Sequence, residues 1–134
     1  MRKFQFLVIF MVLVGVITAC SPAEEDILMV EGENYSQSDL EALGLTSADY
    51  TNKDGETTTY EGVSLATLLL DANAAEGETL SFTASDGYTA DMALEEALAC
   101  STCIVAFDDD SLRVVLPDFS SKLQVKDLAE INVK

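Results

Sequence analysis

The chain has 134 residues, with 24 acidic side chains, seven basic ones and no histidine, for a formal charge of −17. That sign excludes a nucleic-acid binder, whose electrostatic footprint is a basic stripe facing the phosphate backbone. The missing histidine excludes a hydrolytic triad built on Ser85, Asp86 or Ser101, because no general base is at hand.

Arg2 and Lys3 form a short basic region, Phe4 to Ile17 is apolar apart from Gln5 and Gly15, and Ile17-Thr18-Ala19-Cys20 ends the run with small residues before a cysteine. The stretch resembles a bacterial lipoprotein signal peptide with its lipobox. The resemblance implies that residues 1–19 are removed and that Cys20 is diacylated, with palmitate-type chains, as the first residue of the mature protein. The expected address is then the extracytoplasmic face of the cell membrane, with the membrane as a partner through the lipid. The apolar run is shorter than the roughly 20 residues of a comfortable span, whereas acyl chains contribute about 0.8 kcal/mol per buried methylene and hold a protein on a bilayer without one. Without the leader, Lys53, Arg113, Lys122, Lys126 and Lys134 face 24 acids, a formal charge of −19.

Residues 20–26, rich in serine, proline and acid, read as a flexible spacer, and residues 27–134 as one domain. Ile27 to Val30 is a short apolar strand, Glu31-Gly32-Glu33-Asn34 a turn, and Ser36 or Ser38 a helix cap before Leu40 and Leu43, with Gly44 as the stop. Leu45 to Thr51 and Thr57 to Tyr60 have strand composition around the hairpin signal Asp54-Gly55. Gly62-Val63-Ser64 then leads into a helix whose buried face is Leu65, Leu68, Leu69 and Ala72, capped by Ser64. Leu80, Phe82 and Ala84 alternate with polar neighbours, Asp86-Gly87 turns the chain, and Tyr88, Ala90 and Met92 resume the alternation before a short helix, Ala93 to Ala99. Ile104 to Phe107 and Leu112 to Leu116 flank the polar turn Asp108-Asp109-Asp110-Ser111, and a final strand follows. The order is α+β, with mixed sheets and short helices.

The phrases TYEGVSLATLL, FTASDGYTADMALEEAL, IVAFDD, LRVVLP and KLQVKDLAEINV, in that order, resemble the molybdopterin-binding domain family of sulfite oxidase, over about Ile27 to Val133. Gly62-Val63-Ser64-Leu65 stands for the family's G-V-P-L segment, Ser85-Asp86-Gly87-Tyr88 for its central turn and Leu112 to Pro117 for its late strand. Larger members add an immunoglobulin-like domain, for which this chain has no room. The resemblance implies a cofactor held by its phosphate through basic residues, matched here by Lys122 and Lys126 within Phe119 to Lys126, with Arg113 close by and Tyr88 as a further cofactor-binding candidate. It also implies a cysteine thiolate on molybdenum ahead of G-V-P-L. Leu45 to Tyr60 contains no cysteine, and the tryptophan that commonly follows the second lysine is Asp127. A soft thiolate is what ties that metal to protein, so no catalytic residue is assigned.

Cys100-Ser101-Thr102-Cys103 offers a local disulfide or two buried thiols, a redox pair, or half of a metal site. With no histidine the chain lacks a soft tetrad, and Cys100 follows the negative C-terminal end of a helix bearing Glu95 and Glu96, which disfavours its thiolate. A structural role is expected, with no metal site. Asp108, Asp109, Asp110 and Asp118 offer oxygen ligands to a hard cation such as calcium but do not follow EF-hand spacing; a solvated turn is the simpler reading. Tyr60, Tyr88 and Phe119 offer faces to a flat ligand, or lids to the core. The expected function is a lipid-tethered, non-catalytic module for a small ligand or a redox partner protein. The alternatives are a molybdopterin-dependent oxidoreductase subunit with non-standard metal ligation and a thiol redox protein using Cys100 and Cys103.

Overall fold

The computed structural model describes residues 25–134. The leader, Cys20 and most of the spacer lie outside the described residues. Nine strands build two sheets with the main apolar core between them, and three short α-helices and one 3-10 turn complete the described residues.

The first sheet has the order β2-β1-β9-β5-β6. In β1 (Asp26–Val30), Leu28 and Val30 point into the core while Ile27 and Met29 face outward, the period-two pattern of a half-buried strand. The expected four-residue turn is tighter, since Glu33 and Asn34 already belong to β2 (Glu33–Ser36), paired with Val30 and Met29. Glu31 and Gly32 both have positive φ, 48° and 82°, the condition for a two-residue hairpin turn. Ser36 caps α1 (Gln37–Ala42): its Oγ accepts from the Asp39 amide at 3.2 Å, and the Asp39 carboxylate accepts from the Ser36 amide at 2.9 Å. These hydrogen bonds hold the Asp39 carboxyl below its ordinary pKa.

β3 (Leu45–Thr51) and β4 (Thr57–Ser64) form a long hairpin closed by Asn52, whose side-chain oxygen accepts from the amides of Asp54 and Glu56 at 2.9 and 3.0 Å. Beyond Tyr60 the chain does not leave the sheet to start the helix, as the sequence suggests. Gly62, Val63 and Ser64 stay in β4 and pair with Ala106, Val105 and Ile104 of β7 (Ile104–Asp108). A Cβ on Gly62 would lie 2.0 Å from the Val105 carbonyl oxygen, so only glycine permits this approach. The helix follows at once as α2 (Leu65–Asp71), with Ser64 as its cap and Leu65, Leu68, Leu69 and Ala72 buried.

β5 (Thr79–Ala84) and β6 (Thr89–Ala93) make the next hairpin, turned at Asp86-Gly87, where the Asp86 carboxylate accepts from the Tyr88 amide at 2.9 Å. α3 (Leu94–Ala99) leads to Cys100 and Cys103, which are joined by a disulfide; Cys103 is fully buried. β7 and β8 (Ser111–Val115) complete the second sheet, β3-β4-β7-β8. Val105, Leu112 and Val114 belong to the main core, while Ile104, Ala106, Val115 and Ala48 form a smaller cluster beneath Tyr50 and Tyr60. Burial on both faces explains why these strands read as continuous apolar runs without alternation.

The chain then crosses back by way of a single 3-10 turn, Ser121–Leu123, to β9 (Leu128–Val133), which lies parallel to β1 and antiparallel to β5. Gln124 fastens the crossing. Its side-chain oxygen accepts from the Leu116 amide and its side-chain nitrogen donates to the Leu116 carbonyl, both at 2.7 Å and buried. An amide side chain thus stands in for the next residue of a strand partner.

Replacing Gln124 with alanine strands a buried donor and a buried acceptor, and is expected to lower unfolding stability by about 2–4 kcal/mol in urea titrations. A second expectation concerns pH. The Tyr35 hydroxyl donates to the Asp71 carboxylate at 2.8 Å and ties β2 to α2. Burial first, then the hydrogen bond and charge of Asp71, push the tyrosine above its ordinary 10.0. The folded state therefore keeps a proton that the unfolded chain releases, so this contribution is intact below pH 10.0 and is lost as pH rises further. Melting temperatures of Tyr35→Phe should fall less steeply than the parent's between pH 9 and pH 11, roughly the span over which free tyrosine titrates.

Candidate functional site

The β3–β4 hairpin extends past the three residues of β4 that pair with β7, and its outer part forms one wall of a cleft of about 300 Å³. Strand alternation aims Tyr50, Thr58 and Tyr60 at the cleft, because Tyr50 pairs with Thr58 and Ala48 with Tyr60 on one face. The turn adds Asn52, Lys53 and Glu56. The opposite wall is the crossing segment, with Ser121, Gln124 and Lys126.

Arg113 joins the walls. It sits in β8 opposite Ala106 and bridges to Lys126 on its other side. It is 7% exposed. Its guanidinium carbon lies 4.5 Å from the centre of the Tyr60 ring, one terminal nitrogen donates to the Tyr60 hydroxyl at 2.7 Å, and the same nitrogen lies 3.5 Å from the Asp108 carboxylate. Its Nε–H is buried with no hydrogen-bond partner. An orphaned buried donor costs about 1–3 kcal/mol, and more on a charged group.

The four residues expected to hold a cofactor divide into two places. Arg113 and Lys126 meet in the cleft. Lys122 and Tyr88 meet outside its lining, where the Tyr88 hydroxyl donates to the Lys122 carbonyl at 2.8 Å and the lysine side chain stays exposed. Of the ring candidates, Tyr60 lines the cleft, Tyr88 is half exposed and Phe119 packs against the main core. Lys53, Tyr50 and Ser121 escape sequence reasoning because each sits in a turn or hairpin whose placement depends on long-range pairing. Arg113 carries a readable signal: a charge inside LRVV, between residues that a central strand buries.

A second cleft, of about 380 Å³, opens near the β7–β8 turn and is lined by Asp109, Asp110, Asp127, Ser85 and Ser111, among others. Asp118 is not among its lining residues. Among the described residues no three aspartate, glutamate, cysteine or histidine side chains group closely enough to hold a metal ion.

Molybdopterin can be tested against the first cleft by its donors. Arg113, Lys126 and Lys53 suit the anionic end of such a group. The metal end has no match: the lining offers oxygen and nitrogen only, and the cysteines of the described residues are bonded to each other and do not line the cleft. The residues present do not fit a molybdenum centre held by protein thiolate, and no reaction step is derived through one.

No protein-family model and no curated protein matches the chain. Among solved structures it is similar to the sulfane dehydrogenase SoxCD from Paracoccus pantotrophus, with a TM-score of 0.64 and 18% identity, over 79% of this chain and 37% of that one. The chain therefore spans well under half the length of that neighbour, and at such identity the likeness is one of fold. The fold is α+β, one mixed and one wholly antiparallel sheet with short helices, of the sulfite-oxidase type; the expected mixed pairing holds for the first sheet and not for the second.

Proposed function

We propose that this chain is a non-catalytic ligand-binding module on a sulfite-oxidase-like fold, a distant descendant of the molybdopterin-binding domains, tethered to the outer face of a membrane through acylated Cys20. The observation that carries the reading is the donor set of the cleft: an arginine and two lysines share its lining with two tyrosines, without a thiol. The cleft lining carries basic residues of the kind that suit a phosphate, and it does not supply the soft ligand that anchors the metal. The neighbour is named as a dehydrogenase, but a shared fold does not carry a reaction with it.

The disulfide is read as a local staple. Cys103 lies in the main core, and its carbonyl accepts from the Leu65 amide at 2.9 Å, so the bond braces the start of α2. Cys100 is at the C-terminal end of α3, where a thiolate is electrostatically disfavoured.

Protein purified from its native membranes should contain molybdenum and tungsten far below one atom per chain, with no absorbance in the visible; near-stoichiometric metal would overturn the non-catalytic reading. The tether has its own check. Mass spectrometry of the N-terminal peptide should find a diacylglyceryl group on Cys20, and Cys20→Ala should move the protein from the membrane to the soluble fraction; an unmodified Cys20 would sink the anchor.

A further inference from the structure

We propose that the open edge of β3 is a self-association surface. Two copies of this chain pair their β3 strands antiparallel about a two-fold axis at Ala48 and join their second sheets into one. The inference goes beyond the binding-module reading and does not depend on it.

Four strands stand at sheet edges, β2 and β6 in the first sheet and β3 and β8 in the second. Three of them are short or covered. β2 has four residues and lies beside a break in register, and β6 has five. β8 is closed off by the crossing segment, where the Val114 amide donates to the Val125 carbonyl and Gln124 bonds Leu116. β3 is the longest of the four, seven residues paired with β4 without a bulge, and no strand of the described residues lies beyond it. Its sequence, Leu-Thr-Ser-Ala-Asp-Tyr-Thr, has neither lysine nor proline. Natural edges are blunted by lysine, proline or a bulge, and an edge without them is a template for another strand.

The phase of the hydrogen bonds fixes which groups are on offer. The Asn52 amide donates to the Glu56 carbonyl at 2.9 Å, so by alternation Tyr50, Ala48 and Thr46 turn their backbone groups toward β4. The far end agrees. There the Leu65 amide donates to the Cys103 carbonyl at 2.9 Å, which turns Val63 toward β7 and Gly62 toward Thr46. The N–H and C=O groups of Leu45, Ser47, Asp49 and Thr51 therefore point away from the sheet. Their row is already ordered: the Thr59 hydroxyl donates to the Asp49 carboxylate at 2.5 Å, and the hydroxyls of Thr51 and Thr57 lie 2.7 Å apart. Little conformational freedom is left to lose on pairing.

A second copy matches this row. Only the odd-numbered residues offer outward groups, so an antiparallel self-pair sets odd against odd. With Ala48 facing Ala48, Ser47 meets Asp49 and Leu45 meets Thr51, and every outward N–H finds a carbonyl on the other copy. The serine hydroxyl then faces the strand's single charge, at the carboxylate oxygen that Thr59 does not use. Slipping the register by two residues in one direction sets Asp49 against Asp49, a destabilising like-charge pair. Slipping it in the other direction sets Thr51 against Leu43, which is the cap of α1 and outside the strand. The favoured register also brings Lys53 of the turn level with Leu43 of the second copy, close in sequence to Glu41, which is of opposite charge. On the other face of the sheet, Tyr50 lies across from Thr46 and diagonal to Ala48, so the small apolar cluster under Tyr50 continues across the axis.

The net charge of −17 opposes the approach of two copies, and salt screens that repulsion over about 8 Å at physiological strength. Pairing should therefore tighten as salt rises.

The test uses the full chain purified from native membranes in detergent. Sedimentation equilibrium should show monomer and dimer in exchange at chain concentrations up to about 200 μM, with the dimer severalfold tighter at about 300 mM salt than at about 50 mM. Mild oxidation of Ala48→Cys should give a covalent dimer, since facing residues that exchange no hydrogen bonds have Cα atoms about 4.5 Å apart, within disulfide reach. Thr46→Cys, whose two copies stand out of step, should give none. Ser47→Asp should weaken the dimer roughly tenfold and Ser47→Lys should tighten it by a similar factor; the same charges at exposed Ala99 of α3 should change it less than about twofold. Damage to the fold would move both Ser47 variants in one direction. A chain that stays monomeric over that range, an Ala48→Cys protein that does not cross-link, or Ser47 variants that shift together or not at all would each overturn the proposal.

Discussion

A buried guanidinium is the constraint around which the second sheet is arranged. Arg113 lies in a strand whose neighbours Leu112, Val114 and Val115 are all buried, and a charge there needs partners from outside its own strand. They come from three directions: Tyr60 from β4, Asp108 across the β7–β8 turn, and the backbone bridge to Lys126 in the crossing segment. Each partner also positions a part of the cleft. Tyr60 brings the hairpin, and Lys126 brings the opposite wall. The same interaction that lets the charge be buried therefore sets the width of the opening.

The crossing segment has to be held still for this to work, and it contains only one turn of 3-10 helix. Gln124 supplies the rigidity by closing two short hydrogen bonds on Leu116, while Val114 donates to the Val125 carbonyl at 2.8 Å. Together they extend β8 sideways with residues that are not themselves a strand. Where the chain emerges, β9 enters the middle of the first sheet, between β1 and β5. The cleft is thus tied to both sheets through backbone pairing, and loop composition does little to place it.

The electrostatics run against the bulk of the molecule. An acidic surface keeps such a protein soluble and discourages non-specific association with nucleic acid, but it also lowers the local concentration of anions. A site that gathers cations within such a field works only at contact distance, in a partly desolvated cleft, where a hydrogen-bonded ion pair is worth more than its exposed counterpart.

Much of the fold was legible in the sequence. Alternation marked β5 and β6, helical spacing marked the buried face of α2, Asp-Gly pairs marked two turns, and Ser64, with Ser36 or Ser38, marked two helix starts, because each of these signals comes from chemistry within a few residues. Family phrases carried the fold class to a solved neighbour at 18% identity. Two local readings needed the tertiary structure to correct them: the first turn is two residues long, and Gly62 to Ser64 remain in a strand, since pairing with β7 outweighs the turn propensity of glycine. The site was half legible. Arg113 and Lys126 were singled out, while Lys53 and Tyr50 were not, and Lys122 and Tyr88 were grouped with residues they do not join. The sequence by itself determined the elements, the charge and the missing thiolate, all of which are properties of composition and short-range order. Only the tertiary structure decided which basic residues share a cleft, because that depends on strand pairing between residues some fifty positions apart, as with Arg113 and Tyr60, and no local pattern encodes such a meeting.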